Sequence, residues 1–152
     1  MTKNEKATFK DPALQQGFHE LLNAKTMIKQ EVTKKKLASF SYLNLSHRDI
    51  QWLDGIESCQ QLESLFLLGN DIINLEPLTQ LPKLRTLDLS MNEWLNFDTL
   101  DRPLQAVERL ALRSCHLEET NWVRYFPNLK HLSLYDNQLQ SIGLITQLDK
   151  LQ

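Results

Sequence analysis

The sequence predicts an α/β solenoid: a right-handed coil with five short parallel strands on its concave face and a helical cap at the amino end. Three features carry this expectation. An eleven-residue block recurs five times, as FSYLNLSHRDI (40–50), LESLFLLGNDI (62–72), LRTLDLSMNEW (84–94), VERLALRSCHL (107–117) and LKHLSLYDNQL (129–139). The blocks start 22, 22, 23 and 22 residues apart. Such a fixed period marks a stack of like units, each too small to bury its own apolar face. Between the blocks apolar residues recur every third position, and an amphipathic stretch precedes the first block.

The elements follow in chain order. Asp11 is placed to N-cap a helix with Pro12 at its first position. Leu14, Phe18, Leu21 and Leu22 form one stripe, so the helix runs over 12–23. Met27, Ile28, Val32 and Leu37 complete a cap spanning 9–39, and residues 1–8 are expected to be mobile. Repeats occupy 40–152, five of them with the start of a sixth. In each block two leucines two apart point inward: Leu43/Leu45, Leu65/Leu67, Leu87/Leu89, Leu110/Leu112 and Leu132/Leu134. An amide then closes the turn by bonding buried backbone groups: Asn70, Asn92 and Asn137, with Cys115 as substitute. Arg48 stands at that place in the first coil, where a more exposed turn is expected. The period of three (Leu75, Leu78, Leu81; Ile142, Ile145, Leu148) suits a 3₁₀-like or extended convex segment rather than a full α-helix. The extra residue of the 23-residue repeat is expected to bulge near Asp101, Arg102 and Pro103.

Each block fits L-x-x-L-x-L-x-x-N/C-x-L with Phe, Val, Ile or Trp allowed at the apolar places. On these residues the chain resembles the leucine-rich-repeat proteins. It is most similar to their 22-residue, internalin-like bacterial subclass, through Gly55-Ile56 and the L-x-P-L of 75–78. FKDPALQQGFHELL and VTKKKLASFSYLNLS are similar to the helical cap of that family. The resemblance covers residues 9–152. It implies a binding module and leaves the partner open.

Composition excludes other classes. Of 152 residues 41% are hydrophobic and 24% charged, with four glycines and two cysteines, which argues against disorder, collagen and a disulfide scaffold. No apolar run reaches the ~18 residues of a membrane span, and no secretory signal is visible. Residues 1–36 carry eight lysines against four carboxylates, while the remainder is acidic, for a net −2. Lys34, Lys35 and Lys36 read as solvated surface, since no aromatic residue interleaves with them, so no nucleic-acid partner is expected.

Cys59 and Cys115 fall on interior positions about three coils, or ~14 Å, apart. A disulfide needs Cα atoms within ~7 Å, so two free buried thiols are expected, as in a reducing compartment. His19, His47, His116 and His131 share no metal-ligand spacing. No nucleophile, P-loop or dinucleotide motif occurs, so neither an enzyme nor a cofactor or metal is expected.

The candidate site is the concave face. Its outward rows read Tyr42, Ser64, Thr86, Arg109, His131; then Asn44, Phe66, Asp88, Ala111, Ser133; then Ser46, Leu68, Ser90, Arg113, Tyr135. His47, Gly69, Met91, Ser114 and Asp136 lie just beyond. Tyr42, Phe66, Leu68, Asp88, Met91, Arg109, Arg113 and Tyr135 are the expected partner-binding residues, aromatic and arginine groups being enriched at binding hot spots. Trp52, Trp94 and Trp122 are expected to pack the convex side. The expected function is non-enzymatic binding of a protein or peptide on the concave face, in the cytoplasm. An exported effector without a cleaved signal is the alternative location. Alternative functions are self-assembly, or service as a regulatory subunit of a catalytic protein. The last coil leaves Leu132, Leu134, Leu139, Ile142 and Ile145 one layer from solvent, so either a homodimer through this coil or a longer natural chain is expected.

Overall fold

The computed structural model describes residues 4–24 and 30–152. Strands β1 (Tyr42–Asn44), β2 (Ser64–Phe66), β3 (Thr86–Asp88), β4 (Arg109–Ala111) and β5 (His131–Ser133) form one parallel sheet in chain order. The register places Leu43, Leu65, Leu87, Leu110 and Leu132 side by side. Pairing of like positions is what a constant repeat length produces, because each coil returns to the same place one strand spacing on. The inward leucines of β1–β4 are buried, and Leu132 and Leu134 of the last coil are half-buried. On the opposite side run 3₁₀ turns, Ile56–Ser58, Glu76–Gln80, Phe97–Thr99, Asn121–Tyr125 and Ile145–Gln147, which turn Ile56, Leu78, Phe97, Val123 and Ile145 into the core.

Every coil leaves its strand through a residue of left-handed φ: His47 (55°), Gly69 (66°), Met91 (55°), Ser114 (53°) and Asp136 (58°). Four of the five are not glycine, so each stores roughly 1 kcal/mol of strain. Bonds between coils hold the conformation, as His47 N–H donates to Leu68 O at 2.8 Å and Met91 N–H to Arg113 O at 2.8 Å. At Gly69 the absent side chain leaves room for the His47 imidazole, which a Cβ there would have to displace.

The amides then tie each coil to its predecessor. Asn70 Nδ2 donates to Leu45 O and Leu67 O, and its Oδ1 accepts from Arg48 N and Ile50 N, both 3.1 Å. Asn92 donates to Leu67 O, Leu89 O and Ser90 O and accepts from Ile72 N. Asn137 spans Leu112 O and Leu134 O and accepts from Cys115 N and Leu117 N. The two coils without their own Asn carry a second left-handed residue, Asp49 (57°) and His116 (53°). That turn aims the flanking N–H groups together at one amide oxygen of the next coil.

Helix α1 (Pro12–Asn23) and the one-turn helix α2 (Lys34–Leu37) cap the stack. Leu14 and Phe18 of α1 are fully buried; Phe18 contacts Phe9 and Phe40 at centroid distances of 5.2 and 6.2 Å. Asp11 caps α1 through Ala13 N (2.7 Å) and Leu14 N (3.2 Å). Its second oxygen accepts from Gln51 N (2.7 Å) and Trp52 N (3.0 Å), which joins the cap to the first coil. Met27 and Ile28 lie outside the described residues.

Two expectations are corrected and two are met. The segment expected to be mobile is tied down over 5–8: Ala7 is buried, Ala7 N–H donates to Val32 O at 3.0 Å, and Lys34 N–H donates to Glu5 O at 2.9 Å. The turn at Arg48 is more exposed than those at Asn70 and Asn92, as expected: His47 and Asp49 are exposed, and Arg48, paired with Glu20 of α1, is half-buried. Trp94 does not pack; it is 64% exposed, while its neighbour Leu95 lies against the core. An indole overfills the slot that Ile72 and Leu117 occupy in neighbouring coils, so the smaller adjacent side chain turns in. The expected bend at Asp101–Pro103 is present and exposed.

Candidate functional site

The alternation of the strands and the small residues of the middle row shape the concave face. That row ends in Ala111 and Ser133, so a hollow of about 220 Å³ opens among Phe66, Asp88, Arg109, Ala111, His131 and Ser133. Phe66 forms one wall and is half-buried because its ring leans on Tyr42, centroids 5.3 Å apart at 42°. Tyr42 is 56% exposed. Arg109 and His131 stand exposed on the opposite side. The arrangement offers an aromatic wall, a small apolar floor and a rim bearing the Arg109 cation, which suits an apolar side chain flanked by a carboxylate.

The other expected residues separate from this group. Tyr135 and Met91 are exposed at the edge where the chain leaves the strands, and Leu68 is half-buried. Asp88 is corrected, and Arg113, exposed as expected, is engaged by it. Asp88 is buried; its Oδ1 accepts from Ser90 N at 2.9 Å, and its Oδ2 pairs with Arg113 at 3.4 Å. Ser90, written as outward-facing, is fully buried and accepts from Arg113 N at 3.1 Å and Arg113 Nε at 3.4 Å. Adjacent coils lie ~4.8 Å apart, so opposite charges one coil and one row apart satisfy each other before any partner arrives. Arg113 and Asp88 are thus a staple between the third and fourth coils. His131 belongs to the hollow although it was not among the expected binding residues; its place in the first row beside Arg109 was the available signal.

Both cysteines are buried and unpaired. Burial pushes the Cys59 thiol up to about 12, with Glu57 adding to the effect. Burial also raises Cys115, against the opposing N–H groups of Asn92 and Met91. Neither thiol is therefore activated as a nucleophile. On the convex side Trp122 is buried against Phe97 (5.6 Å) and Phe126 (6.2 Å), and its Nε1–H donates to Glu119 O. Trp52 is half-buried under the Lys10 ammonium, 3.0 Å from the ring centroid. Among the described residues no group of three or more His, Cys, Asp or Glu could hold a metal, and no helix is long and apolar enough to cross a membrane.

Comparison with solved structures shows the same coil elsewhere. An internalin C2 from Listeria monocytogenes superposes with a TM-score of 0.69, covering 94% of this chain and 72% of that one at 24% identity. The functional domain of InlJ from the same species reaches 0.74 over 99% of this chain and 33% of that one, at 21% identity. The chain is a leucine-rich-repeat protein with the internalin-type fold. In sequence this leucine-rich-repeat chain is also similar to tubulin-specific chaperone E. It is 31% identical to the Mus musculus protein over 132 residues, 78% of this chain and 25% of that one, and 35% identical to the Danio rerio protein over 102 residues, 60% and 20%. The chain spans about a quarter of the length of the curated relatives it matches. No family model matches it.

Proposed function

We propose that the chain is a non-enzymatic interaction module that binds a protein or peptide segment on its concave face. The observation carrying this reading is the uncovered hollow between the Tyr42–Phe66 pair and the Arg109–His131 rim. An apolar side chain of the partner fills the hollow, and an adjacent carboxylate meets Arg109. The strands hold this face in place before binding, so little ordering cost falls on association. We further propose a cytoplasmic setting, which two unpaired buried thiols favour.

The test is selection of binders from a displayed peptide library, followed by counter-screening with two variants, Phe66→Asp and Arg109→Glu. Each variant should weaken the selected binders at least tenfold. The name of the curated relatives makes tubulin the first purified protein to try. If every recovered binder keeps its affinity for both variants, the concave reading fails.

A further inference from the structure

We propose that a groove along the flank where the strands begin is a docking site for an acidic, extended peptide segment, held by Lys83, Arg85, Lys130 and Lys150. The groove encloses about 670 Å³ and is separate from the concave hollow. Its four cations face two carboxylates, Glu63 and Glu108, in a chain whose net charge is −2. The cations are therefore concentrated against the trend of the whole molecule.

The repeat generates the site. The residue just before each strand's first outward position recurs with the coil, as Glu63, Arg85, Glu108 and Lys130. These residues stand in a row, because Arg85 N–H bonds to Glu63 O, Glu108 N–H to Arg85 O and Lys130 N–H to Glu108 O. Lys130 holds Glu108 at 3.0 Å. That hydrogen bond, with the fields of Lys130, Arg85 and Arg109, keeps the Glu108 carboxyl below its usual range. Glu108 is paired with Lys130 alone, and Arg85 is exposed with no salt bridge among the described residues. Lys83 and Lys150 are steadied by the neutral amide oxygens of Gln61 and Asn128, which leaves their charge uncompensated.

Spacing selects the ligand. Arg85 and Lys130 lie two coils apart, roughly 10 Å at ~4.8 Å per strand. A peptide in the extended polyproline II conformation advances ~3.1 Å per residue with about three residues per turn, so carboxylates three residues apart share one face and span about 9 Å. Glu63 and Glu108 interrupt the cations and repel the unbroken phosphate run of a nucleic acid, whereas a peptide presents neutral residues there.

The experiment measures anisotropy of a labelled decapeptide with Glu at every third residue, alongside its Gln counterpart and a single-stranded oligothymidylate of equal length. The wild type should bind the Glu peptide at least tenfold more tightly than the Gln peptide, and more weakly as salt is raised. Arg85→Gln combined with Lys150→Gln should remove most of that preference while leaving the thermal midpoint unchanged, as both side chains are exposed and no like charges are brought together. Phe66→Asp should leave Glu-peptide affinity within twofold, so failure of the concave reading and failure of this one are distinguishable. Equal affinity for the Glu and Gln peptides, an unaffected double variant, or tighter binding of the oligothymidylate would overturn the proposal.

Discussion

Replacing Asp11 by alanine tests how the cap is fastened. One carboxylate accepts four backbone N–H groups, two from the first turn of α1 and two from the first coil at Gln51 and Trp52. Loss of the N-cap alone costs about 1 kcal/mol, in a range of roughly 0.5–2. The two bonds to the coil add about 1–2 kcal/mol together, counted low because Gln51 is exposed and water reaches its N–H after the change. The expected loss is about 2–3 kcal/mol, or roughly 4–12 °C in thermal midpoint for a chain of this size. Burial raises the Asp11 carboxyl, but the four N–H groups outweigh it and hold the group below its ordinary 3.8. A depressed folded value stabilises above the unfolded one, and that stability disappears as pH falls through the folded value. The gap between wild type and Asp11→Ala in urea melts should therefore be full at pH 6 and shrink below about pH 4. A variant within 0.5 kcal/mol of wild type at pH 6, or a gap that persists unchanged at pH 2, would refute this account of the cap.

Two further outcomes are expected. Trp122→Ala should cost about 3–5 kcal/mol, since it empties the buried stack with Phe97 and Phe126, whereas Trp94→Ala should move the urea midpoint by less than about 0.5 kcal/mol equivalent. Thiol reagents at pH 8 should label Cys59 and Cys115 only at the rate of unfolding, and intact mass should show two free thiols; fast labelling of the native protein would contradict their burial.

The architecture was legible because periodicity reports geometry directly. The 22-residue spacing placed all five strands, and Asp11-Pro12 with the stripe Leu14, Phe18 marked α1 over 12–23. The template also states which way a side chain points, so Tyr42, Arg109 and Tyr135 were found exposed as written. It does not state what stands opposite. Asp88 and Arg113 are 25 residues apart and meet only because the coils stack, so their pairing is invisible to a one-coil template. The same holds for Ala7 with Val32, and for the second oxygen of Asp11. Trp94 failed for a different reason: apolar character earned it a core position that its volume does not allow.

The missing amide in the fourth coil has a consequence for how the chain tolerates rearrangement. Where Asn92 ties coils two and three, Cys115 contributes only a thiol near Leu89 O and Arg113 O. Beyond the strand ladder, side-chain joining of coils three and four therefore falls to attachments outside the turn: the Asp88–Arg113–Ser90 staple on the concave side, and Phe97 against Trp122, with Arg124 on Asp98 at 2.8 Å, on the convex side. These attachments need particular side chains in both coils. The second coil, in contrast, meets its neighbours through Asn70 and Asn92 and their backbone groups alone at this position of the turn. A tandem duplication of residues 62–83 would thus reproduce a compatible junction at each end. Excising 84–106 would set Arg113 beside a coil with no carboxylate for it and Trp122 beside one with no Phe97. The solenoid can lengthen by copying its second coil, but its third and fourth coils can be inherited only as a pair.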